Sequence, residues 1–339
     1  MIVKKMPIFQ GFPDFETVKL LSEKQISGHD FRPVFYDIET TGLSRNSTFL
    51  YLIGAVIYEN GSWQLCQWMA ENPKEESAVL KAFAAVFKNC SCMISYNGDH
   101  FDKPYLEARY AHYELPSPFG EIASLDLYLY LKPLKKLLKL PQMKQPSMEA
   151  FLGIHGRVYS DGKECISLYK SFLKTRDASL ADTVMGHNLE DVLGLGQIHL
   201  MLGYLSLYHG DYHVTQSVLD DCHLIMTLSL PCSLPAVFSN GNNDFYITGK
   251  EREVRLIIKS YDGRFRQYYS NYKDYDYLPK EDTAIPKALS ACMDKKLRRS
   301  ATKDTCYTWF TCSDAFLANP AQQKEYLSHT LPYLLSTLK

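Results

Sequence analysis

The sequence predicts an α/β protein: a mixed sheet with helices on its faces, followed by a smaller β-rich α+β module. Three observations predict this. Hairpin-linked apolar strands precede a helix, another strand and more helices up to about residue 205, and such an order suits a mixed sheet covered by helices. Beyond about residue 205 the apolar residues change from helical to strand-like spacing. Hydrophobic residues make up 46% of the chain and charged residues 22%, which suits a packed core. With 339 residues there is room for two domains of ordinary size.

In chain order, residues 1–32 read as a lead-in with weak periodicity. Val34 to Glu39 is a buried strand entering a Thr40-Thr41-Gly42 turn. Leu50 to Tyr58 and Ser62 to Met69 are two further strands, and Asn60-Gly61 between them is a strong hairpin signal. Ser77 to Phe87 repeats Val79, Leu80, Phe83, Val86 and Phe87 at helical spacing. Met93 to Tyr96 is a short buried strand, and a helix runs from Pro104 to His112. Leu127 to Leu140 reads as one amphipathic helix, and further helices are expected around 147–153, 165–173 and 188–205. In the C-terminal part, strands are expected at Leu224–Leu230, Phe245–Thr248, Val254–Tyr261 and Arg264–Tyr269, with an Asp262-Gly263 hairpin turn. Helices near 284–299 and 320–338 complete it. The expected organisation is a lead-in over 1–32, a first domain over 33–204 and a β-rich module over 205–339.

Several classes are excluded by composition. The apolar run Phe49 to Tyr58 is about half the length that spans a bilayer. No apolar signal region follows Lys4-Lys5, so a cytoplasmic protein is expected. The nine cysteines include no Cys-x-x-Cys pair, which argues for reduced thiols and against disulfides or structural zinc. The net charge of −1 does not announce a nucleic-acid binder, but a metal site supplies local positive charge of its own.

Phe35-Tyr36-Asp37-Ile38-Glu39 is the most informative stretch. Residues i and i+2 of a strand share a face, so Asp37 and Glu39 project together from apolar surroundings. Acids are depleted in strands and two side by side repel, difficulties that a bound cation removes. Asp102 follows Ser95-Tyr96-Asn97-Gly98-Asp99-His100-Phe101 and reads equally well as a ligand or as the cap of the next helix. In His187-Asn188-Leu189-Glu190-Asp191, Asn188 can cap a helix; if the segment is helical throughout, His187 and Asp191 lie one turn apart on one face. Asp126 reads as a cap, not a further ligand.

Taken together, Asp-x-Glu in an apolar strand, Asn-x-x-x-Phe-Asp and His-Asn-x-x-Asp form an ordered set. Over about residues 33–203 the sequence resembles the DnaQ-like (DEDD) 3′–5′ exonuclease superfamily, and within it the bacterial YprB-like ribonuclease H-like branch. The stretches carrying the resemblance are Phe35–Leu43, Tyr51-Leu52-Ile53-Gly54, Tyr96-Asn97-Gly98, Phe101-Asp102, Leu125-Asp126-Leu127 and His187–Asp191. The His187-x-x-x-Asp191 spacing is a hybrid of the Tyr-x-x-x-Asp and His-x-x-x-x-Asp patterns of the proofreading subgroups. The resemblance implies a ribonuclease H-like fold and phosphodiester hydrolysis by two Mg²⁺ or Mn²⁺ ions about 4 Å apart. It implies that Asp37 bridges the ions, that Glu39 and Asp191 complete one site and that Asp102 holds the other. His187 is then the group that orients or deprotonates the attacking water. Hard oxygen ligands agree with Mg²⁺ or Mn²⁺ over zinc.

Around the site, the resemblance places Thr41, Gly42 and Asn97 at the terminal nucleotide. Lys132, Lys135, Lys136 and Lys139 fall on one stripe of the expected helix, either as a solvated face or as a track for a phosphate backbone. Arg264, Arg266 and Tyr268 alternate in a tyrosine-rich strand that can be plain sheet surface or a platform for single strands. The expected partner is nucleic acid with a single-stranded or 3′ end, with no motif selecting DNA or RNA. A protein partner for the C-terminal module is a further expectation. Two rival readings stand beside the exonuclease: a non-catalytic binding or adaptor protein, and a structure-specific endonuclease on the same fold.

Overall fold

In the computed structural model, residues 1–26, 31–120, 122–155, 157–158 and 162–339 are described. Residues 27–30 of the expected lead-in lie outside them. The apolar strands form the middle of a six-stranded sheet: β1 (Ile2–Ile8), β2 (Pro33–Thr40), β3 (Leu50–Glu59), β4 (Ser62–Met69), β5 (Cys92–Ser95) and β6 (Ala123–Asp126), in the order β1-β4-β3-β2-β5-β6. β1, β4, β3 and β2 pair antiparallel, whereas β2–β5 and β5–β6 are parallel, so the sheet is mixed. Asn60 and Gly61 make the β3–β4 turn with φ of 51° and 80°, the left-handed pair that a two-residue hairpin needs.

The lead-in supplies an edge strand, β1, and a helix, α1 (Phe15–Glu23). Its weak pattern has a physical cause. The inner residues of β1 are exposed on both faces of the sheet edge, so no alternation marks them.

Helices cover both faces. α2 (Glu76–Val86) and α3 (Asp102–His112) pack on one, where Tyr36, Ile38, Ile53, Phe83, Leu106 and Tyr110 share a core. Here Glu76 is fully buried; it takes both Nε and Nη2 of Arg109 at 2.7 Å, the Tyr113 hydroxyl and the Leu50 N–H.

The expected helix over 127–140 is two short ones, α4 (Leu127–Leu131) and α5 (Leu134–Leu137). Pro133 stands between them, with no N–H to continue the ladder. α6 (Gln145–Phe151), α7 (Gly162–Thr175) and α8 (Ala178–His199) follow. α8 packs on β2 and β3 and is capped by Asp177, which accepts the Ser179 N–H at 2.9 Å. Asn188 is therefore deep inside a helix and does not cap one.

The described residues fall into two compact units: Met1–Lys132 with Pro141–Leu202, and Pro133–Leu140 with Gly203–Lys339. Within the second, β7 (His213–Asp220), β8 (His223–Ser229), β9 (Phe238–Gly241), β10 (Phe245–Lys250) and β11 (Glu253–Lys259) form an antiparallel sheet in the order β7-β8-β11-β10-β9. Two smaller sheets and a long C-terminal helix, Pro320–Ser336, complete the unit. Asp262 and Gly263 form the expected turn, with φ of 50° and 75°. No helix spans 284–299: a strand, Thr283–Pro286, and a single helical turn, Lys287–Ser290, stand there. Buried Asp276 accepts the Ser290 hydroxyl and Nη1 of Arg298, which folds this segment into tight turns. All nine cysteines are free. Among the described residues, no helix is long and apolar enough to cross a membrane.

Candidate metal centre

β2 carries Asp37 and Glu39 on its α8-facing side, as the strand period requires. Glu39 is buried and Asp37 partly so. From α8, His187 and Asp191 reach the same place, one helical turn apart. His187 Nε2 lies 3.1 Å from Asp191 Oδ2 and 3.5 Å from Glu39 Oε1. One ligand atom from each of Glu39, His187 and Asp191 lies within 4.8 Å of the others.

Asp102 is the first residue of α3. Phe101 occupies the cap position, with no side-chain cap bond, so the carboxylate is not spent on capping. It is buried, and its charge is felt by both Asp37 and Glu39.

The four acids are costly to ionise together. Burial, then the charges of Asp191, Asp102 and Glu39, holds Asp37 well above the usual carboxylate range, against a hydrogen bond from Asn188. Burial and the Asp191 charge push Glu39 up to about 8, against the Tyr51 hydroxyl. Burial lifts Asp102 to about 7, although its own N–H and that of Ile38 pull the other way. Asp191 is raised by burial, opposed by His187 and Arg157. Such a set favours either bound protons or a bound cation. Clustered carboxylate oxygens suit a hard divalent ion, so the residues present fit a metal site.

The remaining expected residues are placed as follows. Thr41 exchanges bonds with Phe49: its N–H donates to Phe49 O at 3.0 Å, and its Oγ1 accepts the Phe49 N–H at 3.1 Å. The Gly42 carbonyl accepts the hydroxyls of Thr40 and Thr48, each at 2.9 Å. Asn97 has a left-handed φ of 62°, and its N–H donates to Asp126 at 2.8 Å. Asp126 also accepts the N–H of Asp99 and of Tyr128, making it the cap of α4 and a tie for the Asn97 loop. Lys132 lies over the Tyr128 ring at 4.7 Å and ends α4. Lys135 and Lys136 belong to α5, and Lys139 follows it with a φ of 53°. Because Pro133 divides the helix, the single stripe of four lysines does not form.

Residues outside the sequence motifs also surround the centre. Arg157 Nη1 contacts Asp191 Oδ1 at 2.5 Å and its Nη2 contacts Glu149 Oε1 at 2.6 Å. The Tyr51 hydroxyl is 3.4 Å from Glu39 Oε2. Asn188 Nδ2 donates to Asp37 Oδ2 at 3.1 Å.

The model of the RNase_H superfamily (RNase_H_2) matches residues 34–202. No curated protein sequence matches the chain. Among solved structures, the family B DNA polymerase from the hyperthermophilic archaeon Pyrobaculum calidifontis is similar at 19% identity and a TM-score of 0.43. That match covers 52% of this chain, and the chain spans 25% of the polymerase. With the mixed sheet, its flanking helices and the superfamily match in place, the part of the chain matched over residues 34–202 has a ribonuclease H-like fold.

Proposed function

We propose that this domain is a divalent-metal-dependent nuclease, a DnaQ-like 3′–5′ exonuclease of the YprB-like branch using Mg²⁺ or Mn²⁺. The observation that carries this reading is the convergence of Glu39, His187 and Asp191 within 4.8 Å, with Asp37 feeling the charges of Asp191, Asp102 and Glu39, and Glu39 those of Asp191 and Asp102. Asp37, Glu39, Asp102 and Asp191 would hold the ions. Bound ions supply positive charge to the attacking and leaving oxygens of a phosphodiester. His187, whose Nε2 faces Glu39 and Asp191, is the group proposed to orient or deprotonate the attacking water. The loops of Thr41, Gly42 and Asn97 are the proposed seat of the terminal nucleotide, and Lys132, at the end of α4, is a proposed phosphate contact.

The test is digestion of labelled single-stranded DNA and RNA with Mn²⁺, comparing wild type with Asp37→Ala. Wild type should shorten linear strands from the 3′ end and leave circles intact, and Asp37→Ala should leave both intact. Cleavage of circles would make it an endonuclease. Mn²⁺ binding without cleavage of any strand would make it a binding protein.

A further inference from the structure

Three residues stand in a row across the sheet face that meets α8. Asp37 on β2 is opposite Gly54 on β3, and Gly54 is opposite Gln67 on β4. Directly opposed residues of antiparallel strands put their side chains on one face. Gly54 has none, and Asn188 of α8 fills its place. A Cβ at residue 54 would fall 2.0 Å from Asn188 Oδ1 and 2.9 Å from its Cγ. The amide thus lies over β3, between the two neighbours of Gly54. Its Nδ2 donates to Asp37 Oδ2 at 3.1 Å, and its Oδ1 accepts from Gln67 Nε2 at 2.9 Å. Gln67 Nε2 also donates to the Met185 carbonyl at 2.8 Å, so both of its N–H bonds are used. Gln67 Oε1 has no partner among the described residues.

Both amides are fully buried. A buried oxygen without a partner costs about 1–3 kcal/mol. Two apolar side chains would fill a helix–sheet contact without that cost. What the amides provide instead is direction. The Met185 carbonyl fixes the donor end of Gln67. Gln67 then presents N–H to Asn188, which obliges Asn188 to turn its own N–H toward Asp37.

We infer that Asn188 is a positioning residue for the Asp37 carboxylate, oriented by Gln67 and accommodated by Gly54. The inference rests on the proposed role of Asp37 as a metal ligand. Metal ligands are held by hydrogen bonds from neighbouring groups, and loss of such a bond costs about 10–100-fold in metal affinity.

The experiment uses the full chain. Mn²⁺ binding is followed by electron paramagnetic resonance of the free ion, alongside thermal denaturation without metal. Asn188→Ala should weaken Mn²⁺ binding about 10–100-fold. Gly54→Ala should do the same by displacing the amide. The double variant should lose no more than the larger single one, because both act on one contact. Gln67→Met keeps the volume, removes the donor and should weaken binding about tenfold. A residue that only packs would lower the melting temperature and leave the Mn²⁺ affinity of the folded protein unchanged. Wild-type affinity in Asn188→Ala therefore overturns the inference; if that variant does not fold, Gln67→Met decides in the same way. A wild type that binds no Mn²⁺ overturns the proposed metal centre and this inference with it. A wild type that binds Mn²⁺, with variants that match it, overturns this inference alone.

Discussion

The guanidinium of Arg157 contacts Oδ1 of Asp191 at 2.5 Å, on the opposite carboxylate oxygen from the one that faces His187. The same guanidinium binds buried Glu149 through Nε and Nη2. Removing one partner of a buried ion pair costs about 3–5 kcal/mol, because the other charge is stranded. Arg157→Ala should therefore destabilise the metal-free protein by about 3 kcal/mol. Saturating Mn²⁺ should shrink that deficit, since a bound cation then compensates Asp191 while Glu149 stays unpaired. Urea denaturation with and without Mn²⁺ measures both values. Equal deficits would mean that Arg157 and the metal do not share Asp191.

The acids make stability depend on pH. Glu39 titrates at 4.5 as an ordinary carboxyl and at about 8 in the folded chain. Its raised value favours folding fully below pH 4.5, and that contribution is lost as pH rises through 8. Asp102 acts in the same direction between 3.8 and about 7. In chelator, the stability of wild type relative to Glu39→Gln should thus fall over this window. With Mn²⁺ the trend should reverse, because the ion binds the ionised acids and expels their protons. A wild-type–minus–variant difference that is flat with pH in chelator would contradict the burial of an ionisable Glu39.

Two substitutions separate proton transfer from ion binding. His187→Ala should slow cleavage by about 10²–10⁴-fold and leave Mn²⁺ affinity nearly intact, since the carboxylates carry most of the ion's charge. Asp37→Ala should abolish both cleavage and tight binding. Isothermal titration and single-turnover cleavage give the two readouts. A His187→Ala protein with wild-type rates would leave the imidazole no part in proton transfer.

On the sheet face covered by α2 and α3, Arg109→Ala should cost about 3–5 kcal/mol by stranding fully buried Glu76. Mn²⁺ should not alter that loss, which makes this variant a control for Arg157→Ala in the same denaturation series. An Arg109→Ala deficit that Mn²⁺ relieves would show the metal acting through global stability.

Strand and helix periods made the carboxylates legible. Asp37 and Glu39 share a face because a strand repeats every second residue, and His187 and Asp191 because a helix turns in about four. Asp102 was ambiguous in sequence; α3 starts at Asp102 with Phe101 at the cap position, so Asp102 is not the cap residue. The supporting groups left no such trace. Gln67 and Asn188 meet across 121 positions, and Arg157 reaches Asp191 across 34. Local pattern carries nothing about such distant pairs. Tertiary contacts also overrode pattern near residue 290, where buried Asp276 draws in Ser290 and Arg298. The break at Pro133 is different: the residue that causes it is in plain view, and the apolar periodicity around it outweighed it.

That break also bears on how the chain can be cut. Residues 133–140 belong with Gly203–Lys339, although they sit in the middle of the ribonuclease H-like segment. Asn240 donates to the carbonyls of Lys136 and Leu137 at 2.8 and 3.1 Å, and Leu134 and Leu137 are fully buried. A fragment ending at residue 202 would separate the 133–140 segment from the unit it belongs to, and a fragment starting at 203 would lack the carbonyls that Asn240 needs. During synthesis the 133–140 segment leaves the ribosome well before its partners exist, so it must wait unpaired until residues from 203 onward arrive. Expression of either piece alone should give insoluble product, and co-expression of the two halves is the route by which a split form would be recovered.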